Sequence, residues 1–135
     1  MDDFTLKMLE LQIRAITSYQ RIGKVLGGLA LPIKVVEHGP ETEPSDLVAS
    51  IIKARTALAD LPMDHHAQGV LATALTDWLN AMVLVVFGAD EDEHSEWAFT
   101  SAGLQFSRCE QELKIAQGVL NGEIQVERID DEDKE

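Results

Sequence analysis

Apolar side chains recur at intervals of three and four residues in four stretches of the chain, the interval that draws a single stripe down an α-helix. In the first stretch, from about residue 3 to 29, the stripe is Phe4, Met8, Leu11, Ala15, Tyr19, Ile22, Leu26 and Leu29, and Gly27, Gly28 and Pro32 mark its end. A second helix is expected after Ser45, whose hydroxyl suits an N-cap, with Leu47, Ile51, Ala54, Leu58 and Leu61 on its buried face and Pro62 as its stop. Asp64 then offers a cap to a third, in which Ala67, Leu71, Ala74, Trp78, Met82 and Val85 share a face and Gly88 suits a left-handed close. The fourth, from about 92 to 121, is the most regular. Phe99, Ala102, Phe106, Cys109, Leu113, Ala116 and Leu120 alternate spacings of three and four without a miss, the seam of a bundle, and Asn121 and Gly122 close it.

Between the first two helices, residues 31–44 carry three prolines and a glycine and read as a connecting loop, although Ile33 and Val35 alternate with Lys34 as a short extended piece would. Four amphipathic helices joined by one longer and two short connections predict an all-α fold, an antiparallel four-helix bundle over residues 1–122. The remaining residues, 123–135, hold seven acids against Arg128 and Lys134 and read as a disordered acidic tail, with too little apolar surface to offset ordering.

Two of the helices are more apolar than one bundle requires. Leu6, Leu9, Ile13 and Ile16 form a second row on helix one, away from Phe4, Met8 and Leu11. Helix three turns apolar on every side through Ala81, Met82, Val83, Leu84, Val85, Val86 and Phe87. Burying one such side chain is worth ~1.5 to 3 kcal/mol, so something is expected to cover these surfaces. The simplest cover is a second copy of the chain, a homodimer whose interface includes Leu6, Leu9, Ile13, Ile16, Leu84 and Phe87, and the alternative is the 31–44 loop folded over one of them.

Charge narrows the list of partners. The formal net charge is −13, and residues 88–97 hold Asp90, Glu91, Asp92, Glu93 and Glu96 with no Lys or Arg. Binding a polyanion relies on Lys and Arg displacing its counterions, so direct nucleic-acid binding is not expected, nor is attachment to an anionic membrane. Helix one carries Lys7, Arg14 and Arg21 along one face, read as a solvated row making weak ion pairs with the acidic start of helix four. The N-terminus starts with two acids and lacks the basic-then-apolar plan of a secretory signal. The most apolar window, residues 70–89, is interrupted by Asp77 and Asn80 and falls short of a membrane span. With Cys109 as the single cysteine, no intrachain disulfide or CxxC motif exists. A soluble, cytoplasmic protein is expected.

Candidate chemistry is sparse. Glu91 and His94 form one E-x-x-H pair, the spacing that places a carboxylate and an imidazole on one helical face, but di-iron bundles use that pair twice together with two further glutamates. His65 and His66 are adjacent and diverge by 100° on a helix, and His38 lies in the loop. All-helical nucleotide pyrophosphohydrolases hold Mg²⁺ with several inward acids on two helices, whereas Asp77 reads as lying on the polar side of helix three. Cys109 falls within the seam of helix four, where a thiol behaves as a small buried hydrophobe. No catalytic, cofactor-binding or metal-ligating set emerges. The acids of 90–93 suit the positive end of a helix dipole, and because one cap would suffice, the surplus suggests an anionic surface. The expected function is therefore a non-catalytic, acidic interaction module, an inhibitor or adaptor that presents this surface to a basic nucleic-acid-binding partner. The alternative is a metal-dependent hydrolase with a carboxylate and histidine site assembled in a bundle dimer.

Overall fold

The computed structural model describes residues 1–124, so the acidic tail, apart from its first two residues, lies outside the described residues. Four helices follow one another, α1 (Asp3–Gly27), α2 (Pro44–Ala59), α3 (His65–Phe87) and α4 (Ser95–Leu120), and no strand occurs among the described residues. Their starts are held by carboxylates that accept from amides left free in a first turn. Asp2 accepts from the Thr5 N–H at 2.8 Å, and Asp64 accepts from the amides of His66 at 2.9 Å and Ala67 at 3.1 Å. Helix α2 begins one residue ahead of the expected Ser45 cap. Pro44 has no N–H to leave unpaired and a ring already set for helix, so it enters the first turn, while Asp46 reaches back to accept from the Glu43 N–H at 3.0 Å.

The side-chain ties fix the direction of each helix. Helices α2 and α3 are antiparallel, with Gln68 donating to the Leu58 carbonyl at 2.7 Å and Arg55 donating to Thr76 at 2.9 Å. So are α3 and α4, which meet through Ser95 and the Gly88 carbonyl at one end and through Arg108 and Asp77 further along. Helices α1 and α4 run the same way, because Phe4 stacks on Phe99, Arg14 donates to Ser107 and Arg21 pairs with Glu110. The two short connections thus give antiparallel neighbours, and α1 and α2 point in one direction.

The long connection makes that possible by running back along α1. The Ile33 N–H donates to the Leu26 carbonyl at 3.0 Å, Val35 lies against Gly23, and the Tyr19 hydroxyl donates to the Val36 carbonyl. On its other side the Val36 N–H donates to Ser50 Oγ of α2 at 2.9 Å. Residues 32–36 therefore link α1 to α2 where the two helices barely touch. A side chain at position 23 would meet Val35 at 2.9 Å, which is why α1 has a glycine there.

The core follows the stripes. Leu11, Ala15, Tyr19, Ile22, Leu26, Leu47, Ile51, Leu58, Leu71, Leu75, Trp78, Phe106, Cys109 and Leu113 are buried together. Trp78 is held by a hydrogen bond from its indole N–H to the Ala15 carbonyl of α1 at 3.0 Å and by the Tyr19 ring at 5.7 Å. Fully buried Ala74, Ala81, Ala98, Ala102 and Ala116 let α3 and α4 approach closely, and these two share the most extensive helix contact. Gly88 serves the same approach rather than the expected left-handed close. Its φ is −86°, and a Cβ there would lie 2.7 Å from the Phe99 ring. Gly122, with φ of 73°, supplies the left-handed turn after α4.

By length and composition α3 is apolar enough to cross a membrane, which the sequence window did not suggest, although seven of its residues, Asp77 among them, are buried in the bundle.

Candidate functional site

Helix lengths decide where the bundle stays open. Helix α2 has 16 residues and α3 has 23, which at 1.5 Å per residue gives ~24 and ~35 Å. The C-terminal part of α2 is tied to the start of α3, so the shortfall of about 10 Å falls on the last turns of α3. There Val83 is 67% exposed, Val86 71% and Phe87 48%. The same end of the bundle holds the start of α1, where Leu6, Leu9 and Ile13 are exposed as expected of an interface row. Ile16 and Leu84, assigned to the same surface from sequence, are half-buried instead, and Leu84 packs on the core.

An aromatic cluster closes this end on the α4 side. Phe87 lies 5.2 Å from the His94 ring and 5.5 Å from Trp97, and the Trp97 indole N–H donates to His94 Nδ1 at 3.3 Å. Trp97 is 48% exposed and was not among the residues singled out from sequence. Its signal was available, since it stands two residues before the seam of α4 begins at Phe99 and so cannot share that buried face.

The acidic stretch is a connection and not a first helical turn. Helix α4 starts at Ser95, whose Oγ donates to the Gly88 carbonyl at 2.7 Å and accepts from the Asp92 N–H at 3.0 Å, while the Asp92 carboxylate accepts from the His94 N–H at 2.8 Å. Those bonds turn the chain tightly, and Glu91 takes a left-handed φ of 51°. Asp90, Glu91, Asp92 and Glu93 are therefore exposed in a loop, and only Glu96 lies in the first turn where a helix dipole acts. Glu96 also leaves the group. It lines a 230 Å³ groove between α1 and α4 with Lys7, Glu10 and Arg14.

The loop geometry removes the basis of the E-x-x-H reading, because residues 91–94 are not helical and share no helical face. Among the described residues no group of three or more His, Cys, Asp or Glu side chains is placed to hold a metal ion. The basic row of α1 also differs from expectation. Lys7 and Arg14 share the groove with Glu96 of the first turn of α4, but Arg14 also lies over the Phe106 ring at 5.9 Å and donates to Ser107, and Arg21 pairs with Glu110 at 3.4 Å, so the row serves the middle of α4 as well as its start.

A buried polar group between α3 and α4 was not legible either. Asp77, expected on a polar side, is 5% exposed and faces α4 beside Glu112, with Arg108 Nε 3.7 Å from Asp77 Oδ2 and 3.8 Å from Glu112 Oε1. Burial first, then a hydrogen bond to Asp77 and its charge, push Glu112 up to about 8, against the pull of Arg108. Asp77 Oδ2 and Glu112 Oε2 otherwise have no partner, and a proton on Glu112 shared with Asp77 satisfies both. Cys109 beside them is fully buried, and its thiol is pushed up to about 12 by burial and the neighbouring carboxylates, which suits the structural role expected of it. A cavity of 540 Å³ lies between α1 and residues 32–38 and is lined by Tyr19, Gly23 and Gly27 on the helix side.

Compared with protein-family models, curated proteins and solved structures, the chain matches none of them.

Proposed function

We propose that this chain is a non-catalytic protein interaction module, an inhibitor or adaptor that self-associates and presents an acidic loop to a basic partner, of the kind whose surface otherwise holds nucleic acid. The observation that carries the reading is the run of exposed apolar side chains near one end of the bundle, Leu6, Leu9 and Ile13 on α1 and Val83, Val86 and Phe87 on α3, against single exposed ones such as Leu31, Ile52 and Leu104 elsewhere. Fully burying one such side chain is worth ~1.5 to 3 kcal/mol, and with these between 38% and 71% exposed, covering each is worth about half of that, which in sum favours association of folded surfaces. Self-association uses the α1 row.

The test is native mass spectrometry with sedimentation at micromolar concentration. A dimer is expected for the unaltered chain and a monomer for the Leu9→Glu, Ile13→Glu variant, since a carboxylate cannot be buried there without a partner. A monomeric unaltered chain overturns the dimer. A stoichiometric divalent ion in the same spectrum overturns the non-catalytic reading in favour of a metal-dependent hydrolase.

A further inference from the structure

The end of α3 and the start of α4 combine two features that define an occupant. Val83, Phe87 and Trp97 are exposed, and Phe87 and Trp97 are locked together with His94 by ring contacts of 5.2 to 6.0 Å, so they present a preformed apolar surface rather than loose side chains. The loop joining the two helices puts Asp90, Glu91, Asp92 and Glu93, all exposed, between Phe87 and Trp97 in the chain. No Lys or Arg occurs anywhere from residue 56 to 107, so within that stretch the loop carboxylates have only His94 as a partner, its Nε2 lying 3.6 Å from Glu93. A second copy is a poor match. It carries the same loop and a net charge of −13, and its Arg14 and Arg21 are already engaged with Ser107 and Glu110.

We infer that this surface docks an amphipathic helix of another protein, whose apolar face covers Val83, Phe87 and Trp97 and whose flanking Lys and Arg side chains meet the carboxylates of residues 90–93. Helices recognised in this way place their anchors at i, i+3, i+4 and i+7, and complementary charge along the rim sets orientation and speeds encounter. The inference rests on the interaction reading and names the partner chemistry for one part of that surface.

Trp97 provides the readout, because the other tryptophan, Trp78, is fully buried and stays constant. The probe is an amidated Leu/Lys peptide of about 18 residues, five helical turns, with Leu at helical spacing, and the control is the same peptide with Glu for Lys. The Leu/Lys peptide is expected to shift Trp97 emission to the blue and shield it from acrylamide, and the Leu/Glu peptide to do neither. Reversing the loop charge at Asp90→Lys, Glu91→Lys and Glu93→Lys, with Asp92 kept because its carboxylate accepts from the His94 N–H, is expected to weaken the first effect at least tenfold with unchanged far-ultraviolet circular dichroism. The inference is overturned if the Leu/Glu peptide shields Trp97 equally, if the charge-reversed chain binds the Leu/Lys peptide undiminished, or if Trp97 is already shielded in the free protein. A dimer that ignores the Leu/Lys peptide sinks this inference and leaves the interaction reading standing, whereas a monomer that binds it sinks only the self-association.

Discussion

Helix α3 carries large apolar side chains from end to end, on one face at first and on every side in its last two turns, yet its first four turns and its last two meet opposite environments. Leu71, Ala74, Leu75, Trp78 and Ala81 are completely buried, while Val83, Val86 and Phe87 stand in solvent. The side chains do not differ in kind. What differs is the neighbour, because α2 flanks the first part and has ended before the second. A helix hydrophobic on every side is therefore a statement about demand for burial, and the length of the adjacent helix decides whether the chain itself meets that demand.

The sharpest way to break this comparison is to truncate one large aromatic in each part. Trp78→Ala removes a fully buried ring and its hydrogen bond to Ala15 and is expected to cost ~3–5 kcal/mol in urea denaturation. Phe87→Ala is expected to change stability by only ~0.5 kcal/mol, the range of exposed positions. Similar costs at the two sites would mean that Phe87 is covered in solution.

A smaller effect separates the parts by pH. Glu112, paired with Asp77 in the buried part of α3, is held up at about 8 against an ordinary 4.5, so the fold favours its protonated form. Its contribution is fully present below about 4.5 and is lost progressively as the pH rises to about 8, where the native carboxyl finally ionises. Melting curves between pH 5.5 and 8.5 are expected to show this fall in the unaltered chain and to show much less of it in Glu112→Gln, which stays neutral throughout. Cys109, pushed up from 9.0 to about 12, enters only near the top of this window, where the unfolded thiol begins to ionise. An unchanged slope in Glu112→Gln would remove the shared proton.

The smallest effect lies just beyond the exposed end of α3. Glu91 takes a left-handed φ that costs a non-glycine residue ~1 kcal/mol or more, partly recovered by the lower chain entropy of glutamate when unfolded. Glu91→Gly is expected to stabilise the chain by up to ~1 kcal/mol in thermal melts. A loss of stability would mean that the Glu91 side chain makes a needed contact.

Much of this architecture was legible because helical periodicity is local. The seam of α4 is buried in order from Phe99 to Ala116, and the α1 stripe is buried from Leu11 to Leu29, each read from spacing alone. The helix starts were less so. Acids suit a helix N-terminus and a turn equally well, and the choice for residues 90–93 was made by Ser95, whose hydroxyl reaches the Gly88 carbonyl and closes the loop before α4 begins. The position of Asp77 was misread because its α3 neighbours on that side include exposed Asn80, and nothing in the sequence brings Glu112 and Arg108 beside it. At the candidate site the α1 row was legible as surplus apolar surface, whereas Trp97 and the departure of Glu96 toward Lys7 and Arg14 depend on how α4 is rotated against its neighbours.

The sequence by itself determined the four helices of the described residues, which stripe of each is apolar enough to be buried, and where the acids concentrate, since these depend on the order of residues within a few turns. Only the tertiary structure decided that the 28–43 connection runs back along α1 so that α1 and α2 point the same way, that one carboxyl pair is sealed between α3 and α4, and which end of the bundle stays uncovered. Those outcomes are set by helix lengths and pairings between residues far apart in the chain, and no local pattern encodes them.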